Sequence, residues 1–225
     1  MKDPKMSTGS APLDDLLGGG LERRTITQVY GEPGSGKSTL AVMAAVACLR
    51  GGEAVVYLDT EGFSAERFEQ IAGDEADALA ERLYLYEPID FTQEGLMINE
   101  CEALLRARKV GLIVMDSATA LYRSELGKSR DGLRTLSRHM VILLGYAKRY
   151  EMPVLITNQV YQDIDTDVYF GLGGTALGHL SKAILRIEKR PAGVRRVVLE
   201  KHRSRPADIC FDCVITNEGI QKVER

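Results

Sequence analysis

The chain has no tryptophan, only four cysteines, and aromatic residues at 6% of its 225 positions. It also lacks a long apolar run. The nearest approach, residues 38–49, is well short of the roughly 20 residues a membrane helix needs. The opening Met1-Lys2-Asp3-Pro4-Lys5-Met6 has no apolar stretch of the kind a signal peptide requires. It reads as an upstream start or a scar outside the fold, since Met6 would serve equally as the first residue. These absences exclude a membrane partner and point to a cytoplasmic protein. Cys210 and Cys213 form a lone C-x-x-C with no second pair and no nearby histidines, which a zinc site would want. The alternation from Cys210 to Ile215 reads instead as a strand.

What is present is a globular composition, 44% hydrophobic and 27% charged, in a length that suits one domain. The formal net charge of −3 conceals segregation. Residues 53–102 hold 14 acidic side chains against two basic, whereas residues 189–205 hold seven basic against one acidic. Basic faces of that kind suit nucleic acid, although solvated surface explains them as well. Short apolar strands alternate with helices, which predicts an α/β parallel sheet. Strands are expected at 26–30, 54–59, 83–86, 111–116 and 153–158, and helices at 37–50, 65–72, 92–108 and 129–150. After Gly174 the pattern changes to successive strands at 182–188, 194–201 and 209–217, which would form an antiparallel C-terminal edge. No repeat or linker divides the chain, so residues 1–225 read as one unit.

Gly31-Glu32-Pro33-Gly34-Ser35-Gly36-Lys37-Ser38 matches G-x-x-x-x-G-K-[ST] in full. Glycines let the backbone wrap a phosphate with its N–H groups turned inward. Lys37 would place positive charge on the β- and γ-phosphates, and Ser38 would offer a hydroxyl to Mg²⁺. Thr39 would meet the α-phosphate at the helix start. Composition alone yields such a string in about one chain in a hundred. A preceding strand and a following apolar helix make the match more specific still.

The site needs an acid for Mg²⁺, and Leu112-Ile113-Val114-Met115-Asp116 supplies one at the end of an apolar strand. An aspartate there can also simply cap a turn. Glu61, just past the strand ending in Tyr57-Leu58-Asp59, can polarise water for attack on the γ-phosphate, or be a loop acid facing solvent. Gln159 follows the strand Val154-Leu155-Ile156 and would face the same crevice, where it can hydrogen-bond a γ-phosphate.

In combination these residues resemble the RecA/RadA recombinase family, with motifs in the same order over almost the whole chain. Residues 7–21 look like the segment that opens the family's ATPase core. Glu61 matches the catalytic glutamate, Arg67 an adenine-stacking arginine, Thr157-Asn158-Gln159 the γ-phosphate sensor, and Gly173-Gly174 the end of the second DNA-binding loop. The glutamate loop is one residue shorter than the family pattern, which bears on Arg67. The family's RadA-type recombinases carry an N-terminal helix-hairpin-helix domain and an F-x-x-A docking motif, whereas these residues read as starting at the core, and none of the five phenylalanines has alanine three positions on. The chain therefore resembles the family's archaeal core-only branch.

That resemblance implies ATP and Mg²⁺ as cofactors, weak ATPase activity, little strand exchange and an accessory role in DNA repair by homologous recombination. Single-stranded DNA would be a partner, and a RadA-like main recombinase another. Self-association fits, but an extended filament does not without the docking motif. Candidate DNA contacts are Arg123, Lys128, Arg130 and Arg134 in the first loop and Lys201, His202, Arg203 and Arg205 near the C-terminal edge. Tyr161, Tyr169 and Phe170 are candidates for base stacking or for packing the second loop. Lys201 and Arg203 are open to three readings: reaching a neighbouring subunit's nucleotide, binding DNA phosphate, or facing solvent. Two other functions stay open. One is an active DNA-dependent ATPase or recombinase, since no catalytic residue is missing. The other is a KaiC-like signalling ATPase without DNA, since a fold does not fix a function.

Overall fold

The computed structural model describes residues 5–125, 131–162 and 169–223, without the side chains of residues 125, 161, 162, 169 and 170. The element order is α1 (Ala11–Leu17), β1 (Ile26–Gly31), α2 (Lys37–Arg50), β2 (Ala54–Asp59), α3 (Ala65–Ala72), α4 (Ala76–Ala80) and β3 (Leu83–Tyr86). Then come α5 (Phe91–Ala107), β4 (Val110–Asp116), α6 (Ala120–Glu125), α7 (Gly132–Arg149), β5 (Val154–Asn158), β6 (Val160–Gln162), β7 (Tyr169–Gly171) and α8 (Gly174–Leu180). The chain closes with β8 (Ser181–Lys189), β9 (Arg195–Lys201), β10 (Ile209–Thr216) and β11 (Gly219–Lys222).

Nine strands make one sheet in the order β11-β10-β9-β8-β1-β5-β4-β2-β3. From β8 to β3 the neighbours run parallel, and from β8 to β11 they run antiparallel. This is the parallel sheet with an antiparallel edge that the alternation of elements implies. Strands β1, β2, β4 and β5 are buried along their whole length because helices cover both faces, so they read as continuous apolar runs. In β8 buried and half-buried residues alternate, as expected where one face is only partly covered.

Helices α1 to α4 share one core layer with Val55, Tyr57, Val114 and Leu155, while α5 to α8 pack with Val56, Ile113, Met115 and Ile156 on the other face. Helix α2 is apolar nearly all round because it is enclosed on both sides, by the sheet and by the chain's two ends. A Cβ on Gly219 at the turn into β11 would lie 2.3 Å from Met43 Sδ, so only glycine lets the hairpin close on this helix. The opening segment differs from its sequence reading. Met6 is buried and exchanges backbone hydrogen bonds with Leu21, at 3.0 and 2.7 Å, and Lys5 Nζ donates to Leu17 O at 2.6 Å. Its apolar side chain finds cover beside α1, so these two residues belong to the fold.

One polar pair interrupts the α5–α7 layer. Glu94 and His139 are both buried, with Nδ1 of the imidazole 2.8 Å from Oε1 of the carboxylate. Phe91 packs on the imidazole with ring centroids 5.0 Å apart. A Cβ on Gly95 would come within 2.6 Å of His139 Nε2, so the pair fits only against a glycine. Burial raises the Glu94 carboxyl above its ordinary value, and the histidine hydrogen bond offsets part of that. Replacing His139 by leucine strands the carboxyl and should cost about 3–5 kcal/mol in urea unfolding, whereas adding Glu94→Leu should recover most of it. A loss under about 1 kcal/mol in the single variant would show that the pair does not hold these helices.

Candidate functional site

The carboxyl ends of β1, β2, β4 and β5 come together on one rim of the sheet, where a parallel sheet presents its ligand crevice. From β1 the chain wraps through the glycine loop into α2. Gly31, Gly34 and Gly36 have φ of 158°, 70° and 106°, and the last two lie in the left-handed region. Lys37 is buried, and its Nζ donates to Gly31 O at 2.9 Å and Glu32 O at 3.1 Å. Burial pulls its ammonium below the usual value, Glu61 and Asp116 oppose that, and Lys189 reinforces it. The ammonium therefore sits over the loop with both acids in range.

Asp116 ends β4 and is buried. Tyr57 Oη donates to its Oδ2 at 2.9 Å and Thr157 Oγ1 donates to Oδ1, while Ser38 lines the same hollow. Burial raises the Asp116 carboxyl, and these hydrogen bonds hold it down. Asp59, opposite Asp116 in the β2–β4 register, is also buried and accepts from Gly62 N at 2.8 Å. Its carboxyl is raised by burial, with backbone hydrogen bonds resisting.

Glu61 and Gln159 meet across the crevice, with Gln159 Nε2 donating to Glu61 Oε1 at 2.8 Å. Beneath them Asn158 is fully buried, accepts from Thr119 Oγ1 at 2.7 Å and donates to Leu172 O at 2.7 Å. Gln159 O in turn accepts from Leu172 N at 2.8 Å. The strand end bearing the glutamine is thus tied to both ends of the β6–β7 hairpin, and that hairpin is the second loop expected from sequence.

At the other end of the crevice, Arg67 donates to Gln70 Oε1 at 2.9 Å and Thr216 O at 2.6 Å. A hollow of about 300 Å³ runs from Ser38, Thr39 and Asp116 past Tyr57 and Phe63 to Arg67. Three buried polar atoms around the rim, Ser35 Oγ, Gln159 Oε1 and Arg67 Nε, have no protein partner. Unpaired buried atoms of this kind call for a ligand or water. No group of three or more His, Cys, Asp or Glu side chains among the described residues is arranged to hold a metal. One carboxylate and one hydroxyl suit Mg²⁺, which keeps several waters and takes further oxygens from phosphate. A larger hollow of about 920 Å³ near Pro12 and Phe211 contains none of these groups.

The candidate DNA contacts lie in two other stretches. Arg123 and Arg134 are exposed, with Arg134 3.7 Å from Asp131, while Lys128 and Arg130 fall outside the described residues. Near the end of β9, Lys201 Nζ donates to Gly178 O at 2.6 Å and Arg205 to Asp15 O at 2.9 Å. Arg203 lies 3.7 Å from Glu22, and His202 Nδ1 accepts from Ser204 N at 3.1 Å. Burial lowers the Lys201 ammonium, helped by Lys182, and lowers His202. The side chains of Tyr161, Tyr169 and Phe170 lie outside the described set. Cys210 is exposed and Cys213 buried, as their odd spacing on a strand requires, and burial pushes the Cys213 thiol up to about 11.

The Rad51 family model matches residues 4–223. A protein of Methanoculleus marisnigri named "DNA repair and recombination protein RadB" is 63% identical, over 99% of this chain and all of its own length. One of the same name from Archaeoglobus fulgidus is 44% identical, with 95% and 96% covered. A crystal structure of the RadB recombinase superposes with a TM-score of 0.83 at 39% identity, covering 97% of this chain and all of that one. The fold and the rim thus define a Rad51-type core, and the chain belongs to the RadB family of DNA repair and recombination proteins within it.

Tyr57, Asp59 and Thr119 were not given a role by sequence, and Thr157 and Asn158 entered only as part of the motif that ends in Gln159. Asp59 had a legible signal, an acid ending an apolar strand like Asp116, whereas the hydroxyls act only through tertiary contacts. Gly36 carries the clearest local test. Its φ of 106° suits glycine, and a Cβ there would lie 2.7 Å from Ile215 Cδ1. Gly36→Ala should cost about 1–3 kcal/mol of stability and abolish tight nucleotide binding. Retained stability and affinity would show that the loop tolerates another geometry.

Proposed function

We propose that this chain is a nucleotide-binding accessory factor of homologous recombination that binds DNA, turns ATP over slowly and performs little strand exchange. The observation that carries this is the convergence of Lys37, Ser38, Asp116, Glu61 and Gln159 on one rim, from the start of α2 and the ends of β2, β4 and β5. Lys37 and the loop N–H groups would hold the β- and γ-phosphates, and Ser38 with Asp116 would hold Mg²⁺. Bound Mg²⁺ would neutralise charge on the phosphates. Glu61 would orient water, and Gln159 would trade its contact with Glu61 for one with the γ-phosphate. Arg67 would cover the base beside Phe63. Family membership supports the recombination role, and a RadA-like recombinase is the protein partner it suggests.

DNA would follow the first loop through Arg123 and Arg134 and the C-terminal basic stretch through Lys201, His202, Arg203 and Arg205. The completeness of the catalytic set favours a second reading, an active DNA-dependent ATPase. Steady-state ATPase activity with and without single-stranded DNA, with binding titrated at two salt concentrations, separates them. Salt-sensitive binding with slow, unstimulated turnover is expected. Strong stimulation by DNA would replace the accessory reading with the active one, and no binding at low salt would leave a signalling ATPase. Changing Lys201 and Arg203 together to glutamate should weaken DNA affinity and reduce its salt slope. Intact DNA binding with altered turnover would assign them to a nucleotide instead.

A further inference from the structure

We propose that Tyr57 and Thr157 are positioning residues that hold the Asp116 carboxylate in place for a divalent cation, an assignment that rests on the nucleotide-binding reading above. Tyr57 lies inside β2, is 1% exposed, and packs in the core with Val55, Val114 and Leu155. Packing alone would be served by phenylalanine, because a hydroxyl in such surroundings is costly unless it is hydrogen-bonded. The hydroxyl of Tyr57 donates to Asp116 Oδ2 at 2.9 Å. Its ring is fixed by Phe63, edge-on with centroids 5.0 Å apart and planes at 77°.

Thr157 repeats the arrangement from the other side. It is fully buried in β5, the strand paired with β4, and its Oγ1 donates to Asp116 Oδ1. One carboxylate is therefore gripped at both oxygens by hydroxyls from the two strands that flank it. A carboxylate has about four lone-pair sites, so two fixed donors leave acceptor capacity for a third group. Ser38, exposed at the start of α2 and lining the same hollow, is placed to share a bound cation with it. The buried hydroxyls set where the carboxylate sits. Partners of this kind behind a metal ligand commonly change metal affinity by about 10–100-fold when removed.

The test is the Mg²⁺ dependence of binding a fluorescent ADP analogue, measured on wild type, Tyr57→Phe, Thr157→Val and Thr157→Ser, with folding checked by thermal melting. Tyr57→Phe should raise the half-saturating Mg²⁺ concentration about tenfold, while affinity in EDTA stays within about twofold of wild type. Thr157→Val should behave alike, and Thr157→Ser, which keeps the hydroxyl, should stay near wild type. A merely structural role would lower the melting temperature without moving the Mg²⁺ curve, and that result in folded Tyr57→Phe overturns the proposal. Equal losses with and without Mg²⁺ overturn it too. Should Thr157→Val fail to fold, Tyr57→Phe decides alone. Wild type that binds no nucleotide overturns the nucleotide reading itself, and the positioning roles fall with it.

Discussion

Asp116 ends a strand buried along its whole length, and its carboxylate lies nearly buried at the edge of the hollow because hydroxyls from β2 and β5 close on it. An unpaired carboxylate there would be neutralised or would force the strands apart. The hydrogen bonds make the buried acid tolerable, and they also fix the register in which three elements meet. The glycine loop and Lys37 then have an opposite charge within range, and α2 can start directly over the ends of the strands.

A second set of contacts links this centre to the surface. Gln159 donates a hydrogen bond to Glu61, and the same strand end is tied through Asn158 and Leu172 to the β6–β7 hairpin. Competition between a γ-phosphate and Glu61 for one amide would therefore be felt at the hairpin. Displacing a single hydrogen bond supplies only about 1 kcal/mol, so such coupling suits a modest bias between states rather than a powerful stroke.

Much of the fold was legible because it rests on local rules. The bounds expected for α2, α3, β2 and β3 agree with the structure, since each has an uninterrupted pattern and a clear stop such as Gly51 or Gly73. The glycine loop was legible because its backbone geometry demands particular residues at particular spacings. Short elements were not. Helix α1 is framed by Gly18 and Pro12, α8 contains Gly178, and β6 and β7 have three residues each, too few for a period to emerge. Tyr57 reads from sequence as one more strand residue, and nothing local says that its hydroxyl meets Asp116, 59 positions away. The Glu94–His139 pair is hidden for the same reason, since it joins two helices across 45 positions.

The most direct test of this account is a crystal structure of the chain with a non-hydrolysable ATP analogue and Mg²⁺. The account predicts phosphates inside the loop of residues 31–38, with Lys37 Nζ moved from the carbonyls of Gly31 and Glu32 onto phosphate oxygens. It further predicts Mg²⁺ beside Ser38 and Asp116, and Gln159 turned from Glu61 to the γ-phosphate. An analogue bound elsewhere, or phosphates in the loop with Asp116 remote from the cation, would contradict it.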